Sequence, residues 1–293
     1  MTDAPRSGRT MPIMLWRRSL LLSVLLVSGC AGHAPTGVAP RTAADVGTEP
    51  RPAAAAPNAP EPSPEASGIR RPRDPIHHGP RKSDMVALTF DADMTSYMEG
   101  QLDRGEVDSY ANPRLIAELR RLKVPATIFM TGLWIKRYPD VAAGLAADPL
   151  FELADHSYDH KAFSTPCYGL GRTDDMRGSL RRTEALLDRL APAHPRFFRF
   201  PGGCFDKAAL RAVAAEVLTP IQWDVVGGDA FATSKDVIVR QTLGGVRGGS
   251  IVVLHLGGGK PSGLTDDALP AIVKGIRERG LRPVTLSTLL GHR

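Results

Sequence analysis

Two histidines, His156 and His160, stand four residues apart just after a short apolar segment. Upstream, another apolar segment ends in an Asp-x-Asp pattern formed by Asp91 and Asp93, and downstream a third ends in His255. Two imidazoles and one carboxylate form a three-ligand site that leaves coordination positions free for water and substrate, as in catalytic zinc sites. We therefore expect a divalent metal site, with the second aspartate and His255 available as base and acid.

Each of these features also has an ordinary structural explanation. Histidines at positions i and i+4 are common on helices, and Asp91 and Asp93 could cap the segment that follows them. His255 could be a histidine at a strand end whose hydrogen bonds are satisfied within the protein. The metal prediction therefore depends on the three segments occurring together in one chain.

The segments that must position these side chains alternate between apolar strands and amphipathic helices. Roughly seven such units predict an α/β fold with a parallel, irregular (β/α)7 barrel, and an open doubly wound sheet is the alternative. In both folds functional residues lie at the carboxyl ends of strands, where the motifs above occur. The pattern predicts strands at 85–90, 125–130, 151–154, 197–200, 218–225, 250–255 and 282–287, and helices at 112–122, 137–147, 174–190, 207–215, 235–243 and 266–279.

The N-terminal region has the features of an export signal. Residues 15–29 run from a basic start into an apolar stretch that is far shorter than the ~20 residues of a spanning helix. Residues 26–30, Leu-Val-Ser-Gly-Cys, resemble a bacterial lipobox, which predicts lipidation of Cys30 and anchoring to the outer face of the cell membrane. The alternative is a signal cleaved near Ala31 or Ala34, which would give a secreted protein.

Residues 31–84 contain 11 of the 25 prolines and few large apolar side chains, so we expect a disordered tether ahead of a catalytic domain at 85–293. Residues 1–84 hold 11 basic and 7 acidic residues, which leaves residues 85–293 with +2 of the chain's net charge of +6. The predicted domain is nearly neutral, and no nucleic-acid partner is expected.

Five short motifs follow one another at the predicted strand ends. They are Thr-Phe-Asp-Ala-Asp at 89–93, His-Ser-Tyr-Asp-His at 156–160, Arg-Phe-Pro-Gly-Gly at 199–203, a segment at 223–229 that begins Trp-Asp and ends in Asp, and Leu-His at 254–255. This order resembles the polysaccharide deacetylase family, the NodB-homology hydrolases of the fourth carbohydrate-esterase family, over about residues 84–290. The resemblance implies a distorted (β/α)7 barrel and metal-dependent removal of acetyl groups from N-acetylated sugars or from O-acetylated xylan.

The resemblance also implies roles for individual residues. It makes Asp91 the catalytic base, His156 and His160 metal ligands, Arg199 the partner that holds the base, and His255 the general acid. The expected metal is Zn²⁺, while Co²⁺ and Ni²⁺ suit the same ligands. Further residues are expected to support the acid (Asp229 or Asp224) or to line the substrate groove (Trp223, Leu254 and Pro201).

The first motif departs from the family's usual Thr-Phe-Asp-Asp-Gly, because Ala92 stands where the metal-binding aspartate is expected. Asp93 is expected to supply the missing carboxylate; without it the site would keep only two protein ligands. The leading hypothesis is an N-deacetylase of cell-wall or chitin-like polysaccharide that acts as a monomer. The alternatives are an O-acetyl esterase acting on xylan or peptidoglycan, and an inactive lipoprotein that only binds glycan.

The chain has three cysteines. With Cys30 assigned to lipid, Cys167 and Cys204 remain as a pair in an exported, oxidising setting, and each lies a few residues after a motif. A disulfide across the site is expected, and two free buried thiols are the alternative.

Overall fold

The structure is a computed structural model that describes residues 72–257 and 262–291. The predicted signal peptide, Cys30 and residues 31–71 of the predicted tether lie outside these ranges. Within the two ranges, no helix has both the length and the apolar character needed to cross a membrane.

Eight strands form one parallel sheet in the described part of the chain. They are β1 (Met85–Ala92), β2 (Ala126–Met130), β3 (Phe151–Asp155), β4 (Phe197–Phe198), β5 (Thr219–Pro220), β6 (Val225–Val226), β7 (Ile251–His255) and β8 (Arg282–Val284). The strand order is β5-β4-β3-β2-β1-β7-β6, and β8 pairs with the beginning of β1.

This strand order is that of a barrel. Strands that are neighbours in the sheet are also consecutive in the chain, with one exception. The exception is the pairing of β1 with β7, which brings together the first and the seventh strand, as closure of a barrel requires. No strand pairing is present between β5 and β6 among the described residues, so the barrel is incompletely closed there. The predicted distorted (β/α)7 barrel is confirmed, and the open doubly wound sheet is not the fold.

Helices connect the strands and cover the sheet. The second helix shows why they form: Asn112 caps its first turn, and Leu115, Ile116 and Leu119 bury one face. The first, third and last helices were not predicted. The helices are α1 (Ser96–Asp103), α2 (Pro113–Arg121), α3 (Gly132–Arg137), α4 (Pro139–Ala146), α5 (Met176–Leu190), α6 (Lys207–Ala215), α7 (Lys235–Gly245), α8 (Thr265–Glu278) and α9 (Leu286–Leu290).

Three predicted elements differ in detail. The helix predicted at 137–147 is α4, which begins two residues later at Pro139, because proline favours the first turn of a helix. The strand predicted at 218–225 is two short strands, β5 and β6, at opposite ends of the sheet. The strand predicted at 282–287 ends at Val284, because Thr285 caps α9 with its side chain.

The folded part begins before the predicted boundary at residue 85. Ile76 forms a bridge to Ile221 and donates its backbone N–H to Pro220 over 2.9 Å. His78 forms a second bridge, to Ser250. The last residues assigned to the tether therefore extend the sheet instead.

The sheet register brings the sequence motifs together. Asp91 of β1 lies opposite His255 of β7 on one side and Phe129 of β2 on the other. Asp155, which precedes the first motif histidine, pairs with Met130 of β2 and Phe198 of β4. Because all these strands are parallel, their carboxyl ends form one rim, and the motifs meet there.

Candidate metal centre

One carboxylate and two imidazoles converge at this rim. Asp93 Oδ1 lies 3.2 Å from His156 Nε2 and 3.4 Å from His160 Nε2. One ligand atom from each of the three residues falls within 4.8 Å of the others. The structure therefore brings together the three residues that the sequence predicted as ligands, Asp93 included.

The donor atoms suit a divalent cation. Asp93 Oδ1 is buried, and no donor among the described residues reaches it in hydrogen-bonding geometry. Burial by itself would raise the pKa of Asp93, but the charges of His160 and His156 outweigh it and hold that pKa well below its usual range. An ionised, unsatisfied carboxylate beside two imidazole nitrogens is the ligand set that Zn²⁺, Co²⁺ or Ni²⁺ would accept.

The loop after β3 aims both imidazoles at one point. Ser157 and His160 adopt positive φ angles of 70° and 56°, a region that non-glycine residues seldom occupy. Asp155 Oδ1 stabilises this turn by accepting the backbone N–H of Ser157 over 2.6 Å. The ring of His156 is fixed by a 2.9 Å contact between its Nδ1 and the carbonyl of Arg199, so Nε2 is left free to bind a metal.

The second aspartate, Asp91, is bound by an arginine instead of a histidine. Arg199 Nη1 donates to Asp91 Oδ1 over 2.6 Å, and the arginine is fully buried. Its guanidinium lies 4.0 Å from the ring centre of Phe129 and 5.5 Å from that of Trp223. Asp91 Oδ2 remains directed toward the site, 3.6 Å from His156 Nε2. Arg199 thus compensates the charge of Asp91 and fixes its orientation.

His255 is paired with a buried aspartate on its far side. Its Nδ1 lies 2.9 Å from Asp229 Oδ1, and its backbone N–H donates to Asp229 Oδ2 over 2.7 Å. Thr265 also donates to Asp229, which is fully buried. Burial alone would lower the pKa of His255, but the charge and hydrogen bond of Asp229 raise it to about 10. His255 Nε2 faces the metal ligands, 3.9 Å from Asp93 Oδ2.

Asp224, the other predicted partner of His255, has a different position. It accepts the backbone N–H of Ile251 over 2.8 Å and pairs with Arg81, also at 2.8 Å. Both contacts lie at the beginning of β7, whereas His255 ends that strand. The residue that supports His255 is therefore Asp229.

A cavity of about 370 Å³ opens over the site. Trp223 lines it as predicted, together with Asp91, Asp93 and His255. Two other residues predicted to line the groove, Leu254 and Pro201, do not line this cavity. Leu254 is fully buried in the hydrophobic core, because it faces the opposite side of β7 from Val253 and His255. Pro201 is also buried, and its neighbour Gly202 lines the cavity instead.

A disulfide lies next to Tyr168 and Gly202, which line the cavity. It joins Cys167 to Cys204, so the loop after the metal-binding histidines is linked to the turn after Arg199. Gly202 has a φ of 62°, and a Cβ at this position would lie 2.7 Å from Cys167 Sγ. Only glycine allows this close approach. The sequence analysis did not identify two aromatic residues that also line the cavity, Tyr168 and Phe231.

A second group of potential ligands lies outside the cavity. Glu184, Asp188 and His194 also bring ligand atoms within 4.8 Å of one another. Arg196 forms ion pairs with both of these carboxylates. Because the guanidinium of Arg196 already neutralises these carboxylates, we interpret the group as a partly buried ion-pair network and not as a metal site.

Residues 78–220 match the family model described as polysaccharide deacetylase. Among curated proteins, the chain is 28% identical to a peptidoglycan-N-acetylglucosamine deacetylase of Bacillus cereus, over 72% of this chain and 70% of that protein. It is 31% identical to a chitooligosaccharide deacetylase of Sinorhizobium fredii, over 50% of this chain and 65% of that protein. The chain thus spans about two thirds of the length of these relatives.

Solved structures show the same fold. A crystal structure of a peptidoglycan N-acetylglucosamine deacetylase superimposes with a TM-score of 0.63 and 26% identity, and the match covers 74% of this chain and 93% of that one. A CE4 family pseudoenzyme from Bacillus anthracis gives a TM-score of 0.61 at 24% identity, covering 76% of this chain and 70% of that one. At 24% identity, the match to the pseudoenzyme shows a shared fold and no more.

Proposed function

We propose that this chain, which carries a polysaccharide deacetylase domain, is a metal-dependent hydrolase that removes N-acetyl groups from cell-wall or chitin-like polysaccharide. The expected substrate units are N-acetylglucosamine and N-acetylmuramic acid. The observation that carries this proposal is the reach of Asp93, whose Oδ1 lies within 3.4 Å of both histidine nitrogens although Ala92 replaces the family's usual ligand. Similarity to a peptidoglycan-N-acetylglucosamine deacetylase supports the choice of substrate.

Asp93, His156 and His160 would hold the metal. A divalent cation bound there supplies a Lewis acid for the acetyl carbonyl and lowers the pKa of water toward ~7. The protein's part is to keep Asp93 ionised and the three ligands converging, which the low pKa of Asp93 and the fixed ring of His156 favour.

Asp91 is suited to act as the general base. Its Oδ1 is held by Arg199, so Oδ2 is the oxygen that accepts a proton from the attacking water. The buried guanidinium keeps this oxygen in place and compensates the negative charge that the carboxylate would otherwise bury alone.

His255 is suited to act as the general acid. An amide expels a poor leaving group, so its nitrogen must be protonated as the bond breaks. With Nδ1 bound to Asp229, His255 presents Nε2 to the cavity and is protonated at neutral pH, because its pKa is raised to about 10. The base and the acid then stand on different strands, β1 and β7, on either side of the reacting group.

The direct test is release of acetate from three substrates by the purified protein: chitin oligomers, peptidoglycan and acetyl xylan. The proposal expects release from the first two, abolished by a chelator and restored by Zn²⁺ or Co²⁺. Release from acetyl xylan alone would favour the O-acetyl esterase. Glycan binding without release from any substrate would favour the inactive lipoprotein.

Asp229→Asn is expected to move the alkaline limb of the kcat/KM–pH profile to lower pH. Asp229 raises the pKa of His255, so in the wild type the imidazolium persists into alkaline solution. Without that charge His255 loses its proton earlier, and we expect a downward shift of about 1 to 3 pH units. Asp224→Asn is the matched control and should leave the limb in place. An unchanged limb in Asp229→Asn would mean that another group sets it.

We also propose export and anchoring through lipidated Cys30, which rests on the lipobox-like segment at 26–30. Cys30→Ser is expected to move the protein from the membrane fraction to the soluble fraction of the producing bacterium, because a serine cannot take up the thioether-linked lipid. Fractionation followed by immunoblotting measures this change. Wild-type protein that is exported but remains soluble with an unmodified Cys30 would contradict it.

A further inference from the structure

The open side of the barrel, between β5 and β6, is crossed by the short link that joins these two strands. At one end of the link, the backbone N–H of Ile221 donates to a carbonyl of β4 over 2.8 Å. At the other end, the backbone N–H of Asp224 donates to a carbonyl of β7 over 3.2 Å. Gln222 and Trp223 lie between these two points and belong to neither strand.

Both residues of the link contact Arg199, the arginine that holds Asp91. The carbonyl of Gln222 accepts from Arg199 Nη2 over 3.5 Å, and the side chain of Gln222 donates to the carbonyl of Gly203 over 2.8 Å. The ring of Trp223 lies beside the guanidinium and also lines the catalytic cavity. The position of the link therefore affects the arginine that orients the base.

Residues that precede β1 hold this link in place. Ile76 donates its backbone N–H to the carbonyl of Pro220 over 2.9 Å, and its own carbonyl accepts the N–H of Gln222 over 2.8 Å. The next residue, His77, places Nδ1 3.3 Å from the carbonyl of Trp223. In a closed barrel a neighbouring strand would supply such partners, and here the N-terminal segment supplies them.

The same segment is fixed on the β7 side of the opening. Arg81 forms a partly buried ion pair with Asp224, with 2.8 Å between Nη1 and Oδ2. Gly79 donates its backbone N–H to the carbonyl of Gly249 over 2.8 Å. A Cβ on Gly249 would lie 2.5 Å from the carbonyl oxygen of Pro80, so only glycine allows the two backbones to approach this closely. Residues 76–81 are thus joined to both sides of the opening.

We propose that the segment at 76–81 positions the active site, with Ile76 and Arg81 acting through the link at 221–224 on Arg199 and on the cavity wall. This inference rests on the proposed function and deepens it by adding positioning residues that line no part of the cavity. Small displacements of groups that orient a reaction can cost a large part of its rate. The last residues assigned to the tether by sequence then belong to the working structure of the domain.

The test measures Arg81→Met and Ile76→Asp in the full chain. Methionine keeps a chain of similar length but cannot pair with Asp224, and an aspartate at 76 places a charge against the apolar cluster that contains Ile221. Each variant should lose about 10-fold in kcat/KM on both an N-acetyl sugar and an aryl acetate, with unchanged metal content. Arg81→Lys should retain most of the activity. The matched control is His78→Ala, which truncates an exposed histidine of the same segment.

The fluorescence of Trp223 provides a measurement that does not depend on activity. The chain has three tryptophans, and subtracting the emission of Trp223→Phe isolates Trp223, since Trp16 and Trp134 are common to both proteins. In Arg81→Met the emission of Trp223 should shift to longer wavelength and be quenched more by acrylamide, because the link is no longer held. His78→Ala should show neither change.

Unchanged Trp223 emission in Arg81→Met would overturn the proposal, as would wild-type kcat/KM or loss of metal in that variant. An equal loss of activity in His78→Ala would also overturn it. If Ile76→Asp does not fold, by circular dichroism, Arg81→Met decides alone. If the wild type releases acetate from no substrate, the proposed function fails, and the emission of Trp223 then decides separately whether the segment positions the link.

Discussion

Asp93→Ala is expected to abolish metal binding and to lower kcat/KM for deacetylation by about 1,000-fold, since a Lewis acid contributes several kcal/mol to such a reaction. Asp93 is the only carboxylate in the described three-ligand group. Its removal leaves two neutral imidazoles, which bind a divalent cation far more weakly. Metal content of the purified protein and acetate release measure the two effects.

His156→Ala should give the same result, because it removes a ligand from the same site. Asp108→Ala, which truncates an exposed aspartate outside the cavity, should change neither metal content nor activity. Circular dichroism spectra that match the wild type would exclude unfolding as the cause. Full metal content in Asp93→Ala would mean that another group supplies the third ligand, and the assignment of Asp93 would be wrong.

His255→Ala is expected to lose about 10² to 10⁴-fold in kcat on an N-acetyl sugar and much less on an aryl acetate. The amide needs a proton on its departing nitrogen, which His255 Nε2 donates. An aryl ester expels a stable phenolate and does not need that proton. The ratio of the two losses therefore measures proton donation to the leaving group.

Asp91→Asn provides the contrast within the same experiment. A base is needed to activate water whichever group leaves, so this variant should lose activity on both substrates alike while it keeps its metal. His78→Ala, which truncates an exposed histidine outside the cavity, should leave both rates unchanged. Equal losses on amide and ester in His255→Ala would show that His255 positions the substrate or the metal instead of donating a proton.

The parts of the fold that sequence could predict are those with long, regular patterns. Strand β1 was predictable because its sequence contains a nearly continuous apolar run, which is typical of a strand buried on both faces. The structure buries that run along almost its whole length. By contrast, β5 and β6 have two residues each, and only residues 221–224 separate them along the chain, so the whole segment was predicted as one strand. A pattern of burial says nothing of which neighbour a strand pairs with, so their separation across the sheet was not predictable.

The residue types of the candidate site could be predicted from the sequence. The directions of the side chains and the pairs that they form were harder to predict. Side chains alternate between the two faces along β1, so Asp91 and Asp93, two residues apart, both face the metal position. Ala92, which lies between them, is buried in the core. The choice of Asp229 over Asp224 depended on which end of β7 each one contacts. Tyr168 and Phe231 lie in irregular segments, where neither periodicity nor spacing indicates which way a side chain points.

The disulfide between Cys167 and Cys204 has a consequence for how the protein should be produced. A recombinant protein made in a reducing cytoplasm would retain all three metal ligands, because none of them is a cysteine. The segment that carries Tyr168 would then be untethered from the turn at Gly202. The thiol content of each batch should therefore be measured before the activities of different preparations are compared.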